Sequence, residues 1–86
     1  NEGAMADKIP ADIRKLSFED ALSEMEDIVR RLESGQVKLE DAIDAYARGA
    51  YLKIHCEAKL KAAKARIDKI VLAPDGGIGT EPADLD

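Results

Sequence analysis

No proline interrupts the chain between Pro10 and Pro74, and this long stretch limits the folds open to it. Apolar residues recur within it at alternating steps of four and three, the spacing of a helix face that packs against another helix. Gly35 separates two such segments, and glycine is common just beyond a helix C-terminus. The pattern predicts an all-α fold with two helices joined by a short turn.

The first helix is predicted over residues 18–34. Ser17 can accept a backbone N–H bond as its N-cap, and Asp20 is placed like the acid of a capping box. One apolar row has steps of 4, 3, 4 and 3, and Ala21 and Ile28 broaden it on one side. With the start of the second helix, this row is expected to form the hairpin core: Phe18, Leu22, Met25, Val29, Leu32, Ile43 and Tyr46.

The second helix is predicted over residues 39–71. At 1.5 Å per residue the two helices would be about 25 Å and about 50 Å long. A short turn makes them an antiparallel, coiled-coil-like hairpin, in which the first helix covers the second only to about Ile54. The rest of the apolar stripe needs a partner, so the hairpin is expected to dimerise into a helical bundle. The predicted assembly interface consists of Gly49, Cys56, Leu60, Ala63, Ile67 and Ile70.

Both ends of the chain differ in composition from its middle. Asn1 to Ala4 precede Met5 and resemble a vector remnant, and residues 6–16 show no sustained periodicity. Residues 1–16 are therefore interpreted as a tag remnant and mobile arm, and residues 17–72 as the helical hairpin domain. From residue 73 onward glycine, proline and unopposed acids predominate, which predicts a disordered acidic tail over 73–86.

Composition excludes several classes of protein. The single cysteine of this 86-residue chain cannot form an internal disulfide, and with one histidine it cannot build the usual structural zinc site. No apolar run approaches the roughly 20 residues of a membrane span, and no signal-peptide pattern is present, so a cytoplasmic location is expected. A domain this small often needs oligomerisation for stability, which favours self-association or a partner.

No catalytic, metal or cofactor site is expected on this chain. Adjacent acids occur in three pairs, but neighbours on a helix point about 100° apart and do not converge on one metal ion. His55 has no second histidine, cysteine cluster or serine partner, and an ordinary rim position is the simpler interpretation. Cys56 lies at a small-residue position of the stripe and is interpreted as a buried apolar group rather than a nucleophile. Gly49 is unfavourable within a helix and suggests close approach of another helix.

Basic residues crowd the second half of the second helix. They could steer DNA or face an acidic partner, or they could simply keep a long helix in solution. No aromatic residue lies among them to stack on bases, and the net charge of the chain is −5. Direct DNA binding by this chain alone is therefore the less favoured hypothesis.

The ordered combination of motifs resembles the small subunit of exodeoxyribonuclease VII. The opening is Ser17-Phe18-Glu19-x-Ala21-Leu22-x-Glu24-Met25-Glu26-x-Ile28-Val29. The central segment is Arg31-Leu32-Glu33-x-Gly35-x-Val37-x-Leu39-Glu40-Asp41-Ala42. The second helix carries Tyr46-x-x-Gly49-x-x-Leu52-x-x-x-Cys56 and Leu60-x-x-Ala63-x-x-x-Ile67. Each motif alone is a generic helical pattern, and the resemblance rests on their combination across residues 17–71.

The resemblance implies a non-catalytic accessory subunit. In that family the small subunit is a helical hairpin that assembles in several copies on a large subunit, which carries the nuclease site and the DNA-binding domain. The holoenzyme degrades single-stranded DNA from both ends to oligonucleotides. The expected partners are thus the large subunit, other copies of this chain, and single-stranded DNA only through the holoenzyme. A stand-alone coiled-coil adaptor or homo-oligomeric scaffold unrelated to DNA is the alternative.

Overall fold

The computed structural model describes residues 8–72, which form three helices. Helix α1 is a single turn, Ala11–Arg14, α2 spans Phe18–Ser34 and α3 spans Leu39–Val71. The all-α class and the ranges of the two longer helices are confirmed. The structure adds α1, which was not predicted from the sequence.

The predicted ends of α2 are also confirmed. The Ser17 hydroxyl accepts a hydrogen bond from the backbone N–H of Asp20 at 3.0 Å, which satisfies one of the free donors of the first turn. Gly35 has a φ of 70°, a left-handed conformation that carries little cost without a side chain. Its N–H donates to the carbonyl of Leu32 and closes the last turn.

Helices α2 and α3 pack along each other, and their contacts run in opposite order along the two helices. Near the turn, Gly49 of α3 lies beside Ile28 of α2. Farther from the turn, the Cys56 thiol approaches the carbonyl oxygen of Phe18 at 4.0 Å. Beyond Cys56, α3 has no buried residue up to the end of the described chain at Leu72.

The core of the single chain differs from the predicted one. Its buried apolar residues are Ile9, Ile13, Ala21, Ile28, Ala45, Leu52 and Cys56. Three predicted core residues, Phe18, Met25 and Leu32, are partly buried and pack against this cluster. The prediction is wrong for the other four, which are exposed: Leu22, Val29, Ile43 and Tyr46.

The difference is a rotation of each helix about its axis. The apolar stripe of α2 is two rows wide, and the row that includes Ala21 and Ile28 faces α3 instead of the row that includes Leu22 and Val29. Small residues in the contact let two helix axes approach closely, and Ala21, Ala45 and Gly49 occupy such positions. Leu22 and Val29 of α2, and Ile43 and Tyr46 of α3, are consequently left at the surface.

Residues 9–16 belong to the folded domain, so the predicted mobile arm is wrong for this part of the chain. Ile9 is buried and Ile13 is 0% exposed. The Arg48 guanidinium donates to Asp12 at 2.8 Å, and His55 Nε2 lies 2.8 Å from the carbonyl oxygen of Leu16. These contacts fasten the segment to the middle of α3. The predicted tag remnant at 1–4 and acidic tail at 73–86 lie outside the described residues.

Candidate assembly surface

An open apolar groove runs between α2 and α3 on the outer side of the packed pair. Its volume is about 420 Å³. The lining apolar residues are Met25, Ile28, Val29 and Leu32 from α2, and Tyr46, Gly49, Ala50 and Ile54 from α3. Lys53 and Glu57 complete the lining at the end farthest from the turn. The rotation of the helices creates this groove, because it turns Val29 and Tyr46 outward.

The second surface is the overhang, defined as residues 57–71 of α3. Leu60 is 55% exposed and Ile67 is 53% exposed. The buried face of α3 ends at Cys56, and within the described residues every side chain from 57 to 67 is exposed. Large apolar side chains repeated along one helix face at this exposure are typical of an interaction surface.

The six residues of the predicted assembly interface fall into two groups. Leu60, Ala63, Ile67 and Ile70 are exposed on the overhang and are free to meet a partner. Cys56 and Gly49 do not belong to that surface, because Cys56 is a core residue and Gly49 is partly buried against α2. Of the six predicted residues, only these four are therefore exposed in the single chain.

Packing inside the chain does not require glycine at position 49. A Cβ atom placed there would lie 3.7 Å from Cγ2 of Ile28, which is ordinary van der Waals contact. Alanine would fit, and it is favoured over glycine within a helix by up to about 1 kcal/mol. The helix that approaches Gly49 in this structure is α2 of the same chain.

Cys56 is placed as a structural residue rather than a reactive one. It is 5% exposed, and burial raises the pKa of its thiol. The reactive species is the thiolate, so both the burial and the raised pKa reduce reactivity at neutral pH. This agrees with its interpretation as a buried apolar group.

We expect Ellman's reagent to modify Cys56 at least about a hundredfold more slowly in the native chain than in guanidinium chloride, because modification requires local opening of the core. A matched control is Ala58→Cys, which adds an exposed thiol two residues away on the same helix. This variant should react in two phases, one fast and one slow. A fast reaction of both thiols would contradict the burial of Cys56.

Arg48 links all three helices through its guanidinium group. It forms ion pairs with Glu24 of α2 and Asp12 of α1. The hydrogen bond to Glu24, followed by that to Asp12, holds the pKa of Arg48 above its ordinary value. The bond from Arg48 in turn lowers the pKa of Asp12. The arrangement positions α1 on α3 and offers no proton-transfer group.

Charge is distributed unequally between the two surfaces. Helix α2 carries six acids against two bases, a net charge of −4. The overhang carries five bases against two acids, a net charge of +3. The two regions do not meet within one chain, because α2 packs on the first half of α3.

Among residues 8–72 there is no grouping of three or more His, Cys, Asp or Glu side chains that could hold a metal ion. Over the same range, no helix is both long enough and apolar enough to pass through a lipid bilayer.

Ile9 and Ile13 were not predicted as core residues, although a signal for them was present. Ile9, Ile13 and Leu16 follow one another at steps of four and three, the same alternation as in the longer helices. Pro10 precedes the single turn of α1, a position where its missing N–H is not needed. The segment is too short to show a sustained period, so the sequence alone does not distinguish it from an arm.

Comparison with known proteins identifies close relatives along nearly the whole chain. The family model described as exonuclease VII small subunit matches residues 18–69. The chain is 61% identical over 74 residues to the exodeoxyribonuclease 7 small subunit of Gluconobacter oxydans, covering 86% of this chain and 89% of that protein. It is 58% identical over 76 residues to that of Caulobacter vibrioides strain NA1000, covering 88% and 90%. No solved structure matches the chain.

Proposed function

Because the chain belongs to the exonuclease VII small subunit family, we propose that it is the small accessory subunit of an exodeoxyribonuclease. It would assemble in several copies on a large catalytic subunit in the cytoplasm. The complex would degrade single-stranded DNA from both ends to oligonucleotides. The observation that carries this proposal is the family match over residues 18–69, which includes both the hairpin and most of the overhang.

The exposed apolar surfaces suit an assembly role. The groove and the overhang together leave large side chains in water that a folded chain of this size would normally cover. We propose that the large subunit and other copies of this chain cover them, forming a coiled-coil-like bundle around an antiparallel hairpin. Single-stranded DNA would be reached only through the holoenzyme, whose large subunit would supply the nuclease site and the DNA-binding domain.

The alternative of a stand-alone scaffold unrelated to DNA has no support from the comparisons, since the relatives are named as subunits of a nuclease. The basic overhang still leaves the question of direct DNA contact. Helix α2 is opposite in charge to the overhang and is present in every copy of the chain. An acidic protein surface can therefore bind the overhang as well as a phosphate backbone can.

The test is reconstitution with the large subunit from the same organism and a labelled single-stranded oligonucleotide. We expect the two chains to co-purify, and the complex to degrade the oligonucleotide faster than the large subunit alone. The small subunit alone should release no label with or without magnesium ions. A large subunit that neither binds this chain nor gains activity from it would refute the proposal. So would nuclease activity of the purified small subunit alone that a point substitution in this chain abolishes.

A further inference from the structure

We propose that two copies of this chain pair antiparallel along α3, so that the overhang of each copy lies in the groove of the other. The inference rests on the self-association included in the proposed function and specifies its surface and register. It follows from the symmetry of α3 about its own midpoint, from the residues that this symmetry brings together, and from the charges of α2 and the overhang.

The row of α3 that borders the groove continues without a break along the overhang. Starting at Leu39 and advancing by alternating steps of four and three, it reaches Val71, the last residue of the helix. Its members are exposed or partly exposed, and none is in the core of the single chain. Sustained 4–3 spacing is the seam of a helix that packs lengthwise on another helix. We call this row the outer seam.

The outer seam is symmetric about residue 55. Helix α3 has 33 residues, so His55 has 16 residues on either side. An antiparallel pair of α3 helices centred there matches residues whose numbers add up to 110. The apolar layers of that pair are Leu39 with Val71, Ile43 with Ile67, and Ala50 with Leu60. The seam matches apolar residues with apolar residues at each of these levels, although nothing in a single folded chain requires it.

Each of the two layers nearest the midpoint pairs a basic residue with an acidic residue. Lys53 of one copy meets Glu57 of the other, and the symmetry repeats the pair on the opposite side of the axis. Both side chains are exposed and line the far end of the groove in the single chain. A parallel pair would instead place Lys53 against Lys53 and Glu57 against Glu57. The charges therefore favour the antiparallel orientation and define its register.

The remaining layer joins Tyr46 of one copy to Lys64 of the other. Tyr46 is among the most exposed large apolar residues of the chain. The stem of Lys64 can cover the ring while its ammonium group keeps the hydrogen bond to Asp68 seen at 2.9 Å. The tyrosine thereby gains a partner without an unpaired charge being buried.

The length and charge of α2 fit the same arrangement. Each end of the pair would be a bundle of three helices: α2, the first half of α3, and the overhang of the second copy. Helix α2 has 17 residues and the overhang has 15, so the two are matched in length. The net charge of −4 on α2 would lie beside the net charge of +3 on the overhang. The pairing is reciprocal, so it closes as a dimer and leaves no groove open for a third copy.

Reversal of single charges on the purified chain tests the register. Lys53→Glu places an acid opposite an acid in both central layers, and Glu57→Lys places lysine opposite lysine. We expect either variant to weaken dimerisation by about tenfold or more in sedimentation equilibrium, since attraction becomes repulsion at both layers. The double variant Lys53→Glu/Glu57→Lys restores the pairs and should dimerise like the original chain. Lys59→Glu makes the same charge change away from the outer seam and alters only the general attraction between the overhang and α2, so it should weaken dimerisation much less than Lys53→Glu does.

Mixing the two single variants also tests whether each variant is folded, because a misfolded chain would not recover the dimer. In the antiparallel register one central layer joins the two introduced residues, an acid and a lysine, and the other joins the two original ones, a lysine and an acid. An equimolar mixture should therefore recover the dimer that each variant lacks alone.

Three results would each overturn the inference: single variants that dimerise normally, a double variant or mixture that fails to recover, or an original chain that stays monomeric at about tens of micromolar. Large-subunit binding and stimulated nuclease activity, measured separately, would show whether the proposed function survives that result.

Discussion

Replacing Leu60 and Ile67 together by aspartate should abolish assembly and stimulated DNA degradation while the chain keeps most of its helicity. Both residues lie on the overhang, where α2 does not reach. Each loses about 1.5–3 kcal/mol of apolar burial in an interface, and an unpaired charge placed there costs more. Circular dichroism measures the helicity, sedimentation with and without the large subunit measures assembly, and a labelled single-stranded oligonucleotide reports degradation.

The matched control for this variant is Ala58→Asp with Ala65→Asp. The two alanines have the same seven-residue separation, are exposed on the same stretch of helix, and lie off the apolar row. This control adds the same two negative charges to the overhang, and it should keep far more assembly and activity than the Leu60→Asp/Ile67→Asp chain. If the Leu60→Asp/Ile67→Asp chain also assembles and supports full activity, the overhang is not an interface.

Truncating Ile13 to alanine should lower the free energy of unfolding by about 2–5 kcal/mol, although Ile13 lies outside the two long helices. Its side chain is 0% exposed and packs in the same cluster as Leu52 and Cys56, so truncation leaves a cavity in the core. Urea unfolding followed by circular dichroism gives the value. All samples need the same chain concentration, because self-association adds to the apparent stability.

Leu72→Ala is the control for that measurement, since Leu72 is exposed at the end of α3. A substitution of this kind should change the free energy of unfolding by no more than about 0.5 kcal/mol. If the Ile13→Ala chain is as stable as this control, residues 9–16 do not contribute to the free energy of unfolding of the domain.

The helices and their ends were predictable because the signals for them are local. Ser17 can cap only the helix that follows it, and Gly35 provides the left-handed conformation that ends the same helix. The absence of proline up to Pro74 let the second helix run to Val71. Each of these effects depends on residues within a few positions along the chain, so one sequence is enough to assess them.

The choice of core face was not predictable in the same way. Leu22 and Ala21 are neighbours, and both rows of α2 have the spacing of a buried face. Hydrophobicity favours Leu22, but close approach of two helices favours the small residue, and the structure follows the second effect. The contribution of Ile13 was hidden for a related reason, since one helical turn is too short to show a period.

The sequence by itself thus determined the two long helices, their unequal lengths and the length by which α3 extends beyond α2. Only the tertiary structure decided which apolar row each helix buries, that α1 joins the core, and that Tyr46 and Val29 line an open groove. The physical reason is the range of the interactions. Caps, turns and periodicity act between near neighbours in the chain, whereas the rotation of a helix is decided by the fit between side chains of different segments.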